Sequence, residues 1–94
     1  MMLLQVSEKV ARFYKNEMAL EDGDALQLFV RHGGIGIGGY ALGVEKSFPR
    51  DLDIKQTIEG ITFFARPDDL WFLDQLELDC DEQLSELKLS FIAS

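Results

Sequence analysis

The spacing of apolar residues predicts a helix close to the start of the chain. Ser7 is a residue type that caps helix N-termini, and Glu8 suits the first turn of a helix. The apolar residues that follow recur at helical spacing: Val10, Phe13, Tyr14 and Met18. The acidic, glycine-containing segment 21–24 predicts a turn that ends this helix, and the apolar segment 3–6 before Ser7 predicts a short strand.

Two strands and a hairpin are predicted in the middle of the chain. The segment 25–31 is apolar and aromatic with partial alternation, which is typical of a buried strand. Tyr40–Lys46 predicts a second strand, in which Gly43 marks a bulge or a close approach of the backbone. Pro49 interrupts the loop that follows. The runs IKQTI and ITFFA flank Glu59 and Gly60, which predicts a hairpin because glycine readily adopts a positive φ.

A second, shorter helix is predicted over 66–76. Pro67 suits its first turn, and the two aspartates that follow Pro67 favour the positive end of the helix dipole. Either the segment 76–80 or the alternating segment 87–91 is expected to close the sheet as a strand. The bulky side chains around the second helix are expected to form core, with Trp71 or Phe72 at a surface patch: Phe63, Phe64, Trp71, Phe72 and Leu73.

These elements predict a single α+β domain over residues 1–94. Its N-terminal helix would pack on a mostly antiparallel, hairpin-rich sheet with a second short helix. The formal net charge of −8, from 17 acidic and 9 basic residues, argues against binding to nucleic acid or to an anionic membrane surface. The apolar start MMLL is too short for a signal peptide and lacks a basic flank, so we expect a cytoplasmic protein.

Glycine is concentrated in the stretch RHGGIGIGGY, which covers residues 31–40. A formal G-x-G-x-x-G match falls on Gly34, Gly36 and Gly39. A dinucleotide site needs a helix directly after this motif, and a P-loop needs Gly-Lys-Ser/Thr. A strand-like segment follows instead, so a nucleotide site is rejected. We predict that 33–39 is a mobile connection between two adjacent strands, and not the start of a helix.

Candidates for catalysis or metal binding are few. His32 is the sole histidine and lies beside the glycine stretch, so it is a weak metal candidate, although an exposed histidine at a strand end has the same pattern. Cys80 is the sole cysteine and a second weak metal candidate. Asp79 and Asp81 flank it and would raise its pKa, which disfavours a catalytic thiolate. No nucleophile–base pair is evident, so we expect a protein that is not an enzyme.

Carboxylates accumulate toward the C-terminal part of the chain. The segment 68–86 contains eight acidic residues and no lysine or arginine. Asp79–Glu82 could supply oxygen ligands to a hard cation, but the segment lacks the spaced carboxylates and central glycine of an EF-hand loop. A solvated acidic face is the favoured interpretation.

The order of these segments resembles the A-type iron–sulfur assembly family (HesB/IscA-like). The resemblance covers nearly the whole chain: a strand and helix, then ALQLFVRHGG with its glycine turn, YALGVEK, and EGITFFARPDDLWFLDQLELDCDEQL. It is greatest to the small HesB-like proteins of low-GC Gram-positive bacteria. It implies the HesB/IscA-like fold and a relation to iron–sulfur cluster biosynthesis. The partners that it implies are the iron–sulfur assembly machinery and further copies of the chain.

The ligand cysteines of that family are missing here. The family carries one cysteine in the glycine turn and a Cys-Gly-Cys pair near the C-terminus, which are implied to hold iron or an Fe–S cluster. Ile35 matches the first position, or Gly36 if the turn has an extra residue, and no cysteine follows Cys80. We therefore interpret the turn as a degenerate ligand loop: Gly33, Gly34, Ile35, Gly36, Gly38 and Gly39. Arg31, His32 and Tyr40 form its rim and are candidates for partner binding.

Two hypotheses follow from this departure. In the first, the chain is a non-enzymatic HesB/IscA-like protein without direct thiolate ligation of a cluster. In the second, it binds iron or another metal through His32 and carboxylates. We expect no bound cofactor, and iron or an Fe–S cluster is implied by the resemblance alone.

Overall fold

The architecture is α+β, as the sequence predicts. The computed structural model describes residues 6–37, 40–74, 76–84 and 86–91. Its elements follow in chain order: α1 (Glu8–Glu17), β1 (Ala25–Ile37), β2 (Tyr40–Lys46), β3 (Ile54–Ile58), β4 (Ile61–Ala65), a 3₁₀ turn (Pro67–Asp69), α2 (Leu70–Leu73), β5 (Leu76–Asp81) and β6 (Glu86–Phe91). The N-terminal helix and the short second helix are thus both present. The second is shorter than the predicted 66–76, because its first turn is a 3₁₀ turn and Leu76 already belongs to β5.

Helix α1 begins where the sequence predicts, but it ends at Glu17, before the predicted turn at 21–24. The Ser7 hydroxyl accepts a hydrogen bond from the Val10 N–H at 3.3 Å, which satisfies one of the free donors in the first turn. Val10, Ala11 and Tyr14 face the core and are buried. Of the strand predicted at 3–6, residues 3–5 lie outside the described residues, and Val6 is buried but belongs to no strand.

The main sheet is mixed and mostly antiparallel, with the strand order β2-β1-β4-β3. β1 pairs antiparallel with β2, β3 pairs antiparallel with β4, and the two inner strands β1 and β4 pair parallel. The hairpin predicted at Glu59 and Gly60 is confirmed. Both residues have positive φ, 54° and 78°, which matches the twist of a two-residue hairpin turn.

The prediction that 76–80 or 87–91 closes this sheet is wrong. β5 and β6 pair with each other, from Leu76↔Phe91 to Asp81↔Glu86, and form a separate two-stranded sheet. The Asp81 carboxylate accepts hydrogen bonds from the N–H groups of Gln83 and Leu84, at 3.0 and 3.2 Å. This local turn brings the two strands together, so each finds its partner nearby.

The core lies between the main sheet, both helices and the second sheet. Alternation along the strands sends one set of side chains toward α1, including Leu26, Leu28 and Phe63. Phe64 points to the opposite face of the sheet and is also fully buried. The loop 47–53 joins β2 at one edge of the sheet to β3 at the other edge, and so passes both inner strands.

Candidate functional site

The glycine stretch continues strand β1 and does not begin a helix. β1 extends to Ile37, so the prediction of a connection over the whole of 33–39 is wrong for residues 33–37. Strand pairing uses the backbone alone, so glycines can extend a strand wherever a partner strand completes their hydrogen bonds. The absence of a helix start in the described part, 33–37 and 40–46, supports rejection of a nucleotide site. Gly38 and Gly39 lie outside the described residues.

The register of the β1–β2 hairpin shifts next to the predicted rim. Arg31 pairs with Ala41, His32 pairs with Tyr40, and Ile37 pairs with Tyr40 as well. Both Arg31 and His32 are exposed. Because neighbours along a strand face opposite sides of a sheet, these two side chains start from opposite faces of the hairpin. The side chains of residues 33–40, including those of Ile35 and Tyr40, lie outside the described part of the chain.

Gly43 marks a close approach, as predicted. Gly43 lies opposite Phe29 in the β1–β2 register. A Cβ placed on Gly43 would overlap the ring of Phe29 and would stand 2.7 Å from Cγ of Arg31. Side chains of β1 therefore pack directly over the backbone of β2, next to the predicted rim.

Cys80 is a core residue of β5, with 5% of its surface exposed. Burial raises the pKa of its thiol, and the carboxylates of Glu82, Asp79 and Asp81 raise it further. The predicted effect of the two aspartates is thus confirmed, but burial is the larger cause. Cys80 is buried because β5 packs on helix α1. The acidic residues on either side of it in the sequence gave no indication of this burial.

The two weak metal candidates lie in different sheets, His32 in β1 and Cys80 in β5. Within residues 6–37, 40–74, 76–84 and 86–91, no group of three or more His, Cys, Asp or Glu side chains is placed to hold a metal ion. An open depression of about 390 Å³ lies beside Cys80, with Lys9, Asp81 and Gln83 in its lining. Both basic and acidic side chains line this depression.

Arg12 links helix α1 to the β3–β4 and β5–β6 hairpins. Its guanidinium donates to the two Glu82 carboxylate oxygens at 3.2 and 3.3 Å and to Glu59 Oε1 at 3.0 Å. Glu8 lies 3.8 Å away on the same helix. This cluster was not predicted, because its members are far apart in the sequence and nothing local marks them as partners. It fixes the turn of the second sheet against the helix.

An exposed apolar loop was also not predicted from the sequence. In the loop 47–53, Phe48 is 87% exposed and Leu52 is 82% exposed. Leu84 in the β5–β6 turn and Trp71 in α2 are less exposed, at 63% and 47%, whereas Phe72 is buried. Of the two residues proposed for a surface patch, Trp71 is therefore the exposed one. The available signal was a Phe and a Leu in a segment without strand or helix periodicity.

Comparisons with known proteins identify a family and a relative for this chain. A family model described as iron-sulphur cluster biosynthesis matches residues 2–93. A protein of Bacillus subtilis (strain 168) called a pyruvate dehydrogenase inhibitor is 37% identical over 93 residues, which cover 90% of this chain and 98% of that relative. No solved structure gives a significant match. In the described part of the chain, no helix has the length and apolar character needed to cross a membrane.

Proposed function

The chain belongs to the iron–sulphur cluster biosynthesis family, and we propose that it is a non-catalytic member that acts by binding other proteins and does not hold a cluster on thiolates. The main support for this proposal is the environment of Cys80 in the fold. It is the sole cysteine in the sequence, it is buried, and its pKa is raised. A protein-bound Fe–S cluster requires several thiolate ligands, and each must be deprotonated and accessible.

The other candidate ligand positions support the same conclusion. Ile35 stands where the resemblance places the first family thiolate, and an aliphatic side chain has no lone pair to offer a metal. Two of the described carboxylates, those of Glu59 and Glu82, are engaged in structural pairs with Arg12.

Anaerobic reconstitution tests the ligation part of this proposal. The purified chain and its Cys80→Ala and His32→Ala variants would be incubated with ferrous iron and sulfide, desalted, and examined by visible absorption and iron analysis. We expect no stoichiometric iron and no difference among the three proteins. Cluster absorbance that is abolished in Cys80→Ala would overturn the proposal. Tight iron binding that is lost in His32→Ala would instead support the metal-binding alternative based on His32 and carboxylates.

Direct binding tests the partner part. Purified iron–sulfur cluster scaffold protein would be immobilised, and the wild-type chain would be passed over it in biolayer interferometry. Saturable binding without cluster transfer to the chain is the expected result. Binding only after a cluster has been loaded onto the chain would contradict a role that is independent of thiolates.

A second candidate function comes from the Bacillus subtilis relative. Its printed name is pyruvate dehydrogenase inhibitor, and the 37% identity extends over nearly the full length of both chains. Inhibition of an enzyme complex is also a protein-binding function, so it is compatible with the same proposal. Adding the purified chain to pyruvate dehydrogenase and following NADH formation tests it. A saturable decrease in rate supports this candidate, and an unchanged rate at high molar excess rejects it.

A further inference from the structure

β2 lies at one edge of the main sheet and pairs on one side only. In the part of the chain that the structure describes, its sole partner strand is β1. The opposite edge of the sheet differs, because the Gln56 side chain of β3 holds the Val6 backbone with hydrogen bonds of 2.8 and 3.4 Å. An open edge strand presents a row of free N–H and C=O groups, which can pair with a strand of another chain.

The hydrogen bonds between β1 and β2 determine which residues of β2 face the open edge. The Ser47 N–H donates to the carbonyl oxygen of Ala25 at 3.2 Å, and these two residues lie opposite each other when the β1–β2 register is continued by one residue. Along an antiparallel strand, residues that bond to the partner alternate with residues whose backbone groups point away from it. Gly43 and Glu45 therefore bond to β1, as Ser47 does. The residues whose N–H and C=O groups point to the open edge are Leu42, Val44 and Lys46.

The side chains next to the open edge are apolar on the face of the sheet that packs on the core. Leu42 and Val44 contact the buried core and remain partly exposed. Gly43, between them, belongs to the other face, where the ring of Phe29 lies over it. Cross-strand apolar pairs stabilise a sheet, so a strand added at this edge with apolar residues opposite Leu42 and Val44 would bury both side chains further.

A second copy of β2 supplies such a strand. Even-numbered residues face the edge in both copies, so an antiparallel pair must bond through even-numbered residues. A two-fold axis at Gly43 meets this requirement and sets Leu42 of each copy opposite Val44 of the other. It is the one symmetric arrangement that pairs the whole of Tyr40–Lys46 with itself. An axis at Glu45 would instead place two like charges directly opposite each other, which is destabilising.

The same axis brings opposite charges together on the other face of the sheet. Arg31 lies opposite Ala41 in the β1–β2 register, and its Cγ would stand 2.7 Å from a Cβ placed on Gly43, so its side chain leans over β2. Glu45 of the second copy would lie on the far side of Ala41. Two strand spacings are about 10 Å, which these two long side chains span over the small Ala41. Within the described residues, neither Arg31 nor Glu45 has an ion-pair partner.

From these observations we infer that the chain forms a symmetric homodimer, in which β2 pairs antiparallel with β2 of a second copy across a two-fold axis at Gly43. The two four-stranded sheets then become continuous. Backbone hydrogen bonds, the Leu42–Val44 contacts and two Arg31–Glu45 ion pairs hold the copies together, and the contact closes because it is isologous. The net charge of −8 opposes association, but physiological salt screens charges that are more than about 8 Å apart. The self-complementary pattern favours a second copy over a strand of another protein.

Sedimentation velocity of the purified chain over a range of concentrations tests this dimer. Arg31→Glu and Glu45→Arg each set like charges together at both ion pairs, so we expect each variant to dimerise about tenfold more weakly or worse. An equal mixture of the two variants should form a heterodimer, because both contacts then join opposite charges again. Lys9→Glu and Glu17→Arg make the same charge changes at exposed positions of α1 and should leave the dimer intact.

Amide hydrogen exchange tests the arrangement of the two strands. We expect the amides of Leu42 and Val44 to exchange slowly in the wild-type dimer and rapidly in Arg31→Glu, whereas the Gly43 amide, which bonds to β1, exchanges slowly in both. A wild-type chain that sediments as a monomer at every concentration would overturn the inference, and a strand of another protein would then be the candidate for this edge. A dimer that both charge variants leave intact, or in which the Leu42 and Val44 amides exchange freely, would overturn it as well.

Discussion

Arg12 on helix α1 donates two hydrogen bonds to the Glu82 carboxylate, from Nε at 3.2 Å and from Nη2 at 3.3 Å. The two residues are 70 positions apart in the sequence. This bidentate pair joins the first helix to the turn between β5 and β6. The same guanidinium reaches Glu59 in the β3–β4 turn. One arginine therefore holds two separate hairpins to one helix.

Removing this pair should loosen the second sheet by a small, salt-dependent amount. Arg12 is partly exposed, and exposed ion pairs contribute little to stability and are screened by salt. We expect Glu82→Gln to lower the urea midpoint slightly at low ionic strength and to have almost no effect in about 1 M salt. Glu17→Gln, at an exposed position of α1, serves as the control. A large decrease in the urea midpoint that persists at high salt would contradict the expectation that this is a weak, exposed ion pair.

Gly43 and Gly23 offer a matched pair of glycine substitutions. Gly43 has no room for a Cβ because Phe29 packs over it, whereas Gly23 has open space but a φ of +96°. We expect Gly43→Ala to cost about 1–3 kcal/mol of unfolding free energy through overpacking. Gly23→Ala is expected to cost about 1–2 kcal/mol through backbone strain.

A double-mutant cycle distinguishes these two causes. Phe29→Ala removes the ring that obstructs Gly43, so it should recover much of the loss caused by Gly43→Ala and none of the loss caused by Gly23→Ala. Urea unfolding of the single and double variants provides the measurement. Strictly additive losses for Phe29 and Gly43 would show that the two residues are not in the close contact described.

Tyr14 should make the protein sensitive to alkaline pH. Burial raises the pKa of Tyr14 to about 12, from an ordinary value near 10. Above about pH 10 the unfolded chain loses the phenolic proton while the folded chain retains it, so folding stability falls as pH rises toward 12. The loss attributable to this group should approach about 2 kcal/mol. Tyr14→Phe should show a smaller decrease between pH 9 and 12, and identical pH profiles would contradict a buried phenol.

Cys80 should react slowly in the native protein. Its burial and its raised pKa both reduce the amount of accessible thiolate. We expect a thiol reagent at pH 8 to label the folded chain far more slowly than the urea-unfolded chain, with a rate that increases on addition of denaturant. Labelling of the native protein as rapid as that of a free cysteine would show that the thiol is available after all.

Local signals in the sequence predicted the local structure well. The Ser7 cap and the glycine turn at Glu59 and Gly60 depend on neighbours within a few residues, and both are present as expected. Which strands pair with which is decided by long-range packing, so the separate β5–β6 sheet was missed. The burial of Cys80 was missed for the same reason, since its neighbours in sequence are acidic and its neighbours in space are apolar.

The candidate site was predictable only in part. The sequence located the glycine stretch between two strands and rejected a nucleotide site there. It gave no warning that the strand would continue to Ile37, because glycine propensity is overridden where a partner strand satisfies the backbone. The exposure of Phe48 and Leu52 was also hidden, since only the fold shows which apolar residues fail to reach the core.

The measurement that tests the central claim most directly is native mass spectrometry of the chain after anaerobic incubation with iron, sulfide and the purified scaffold protein. Mass resolves the free chain, a cluster-loaded chain and a complex of two proteins in one spectrum. We predict a chain without iron or sulfide, alone and in complex with the scaffold. A chain that carries a stoichiometric cluster, lost on Cys80→Ala, would contradict it.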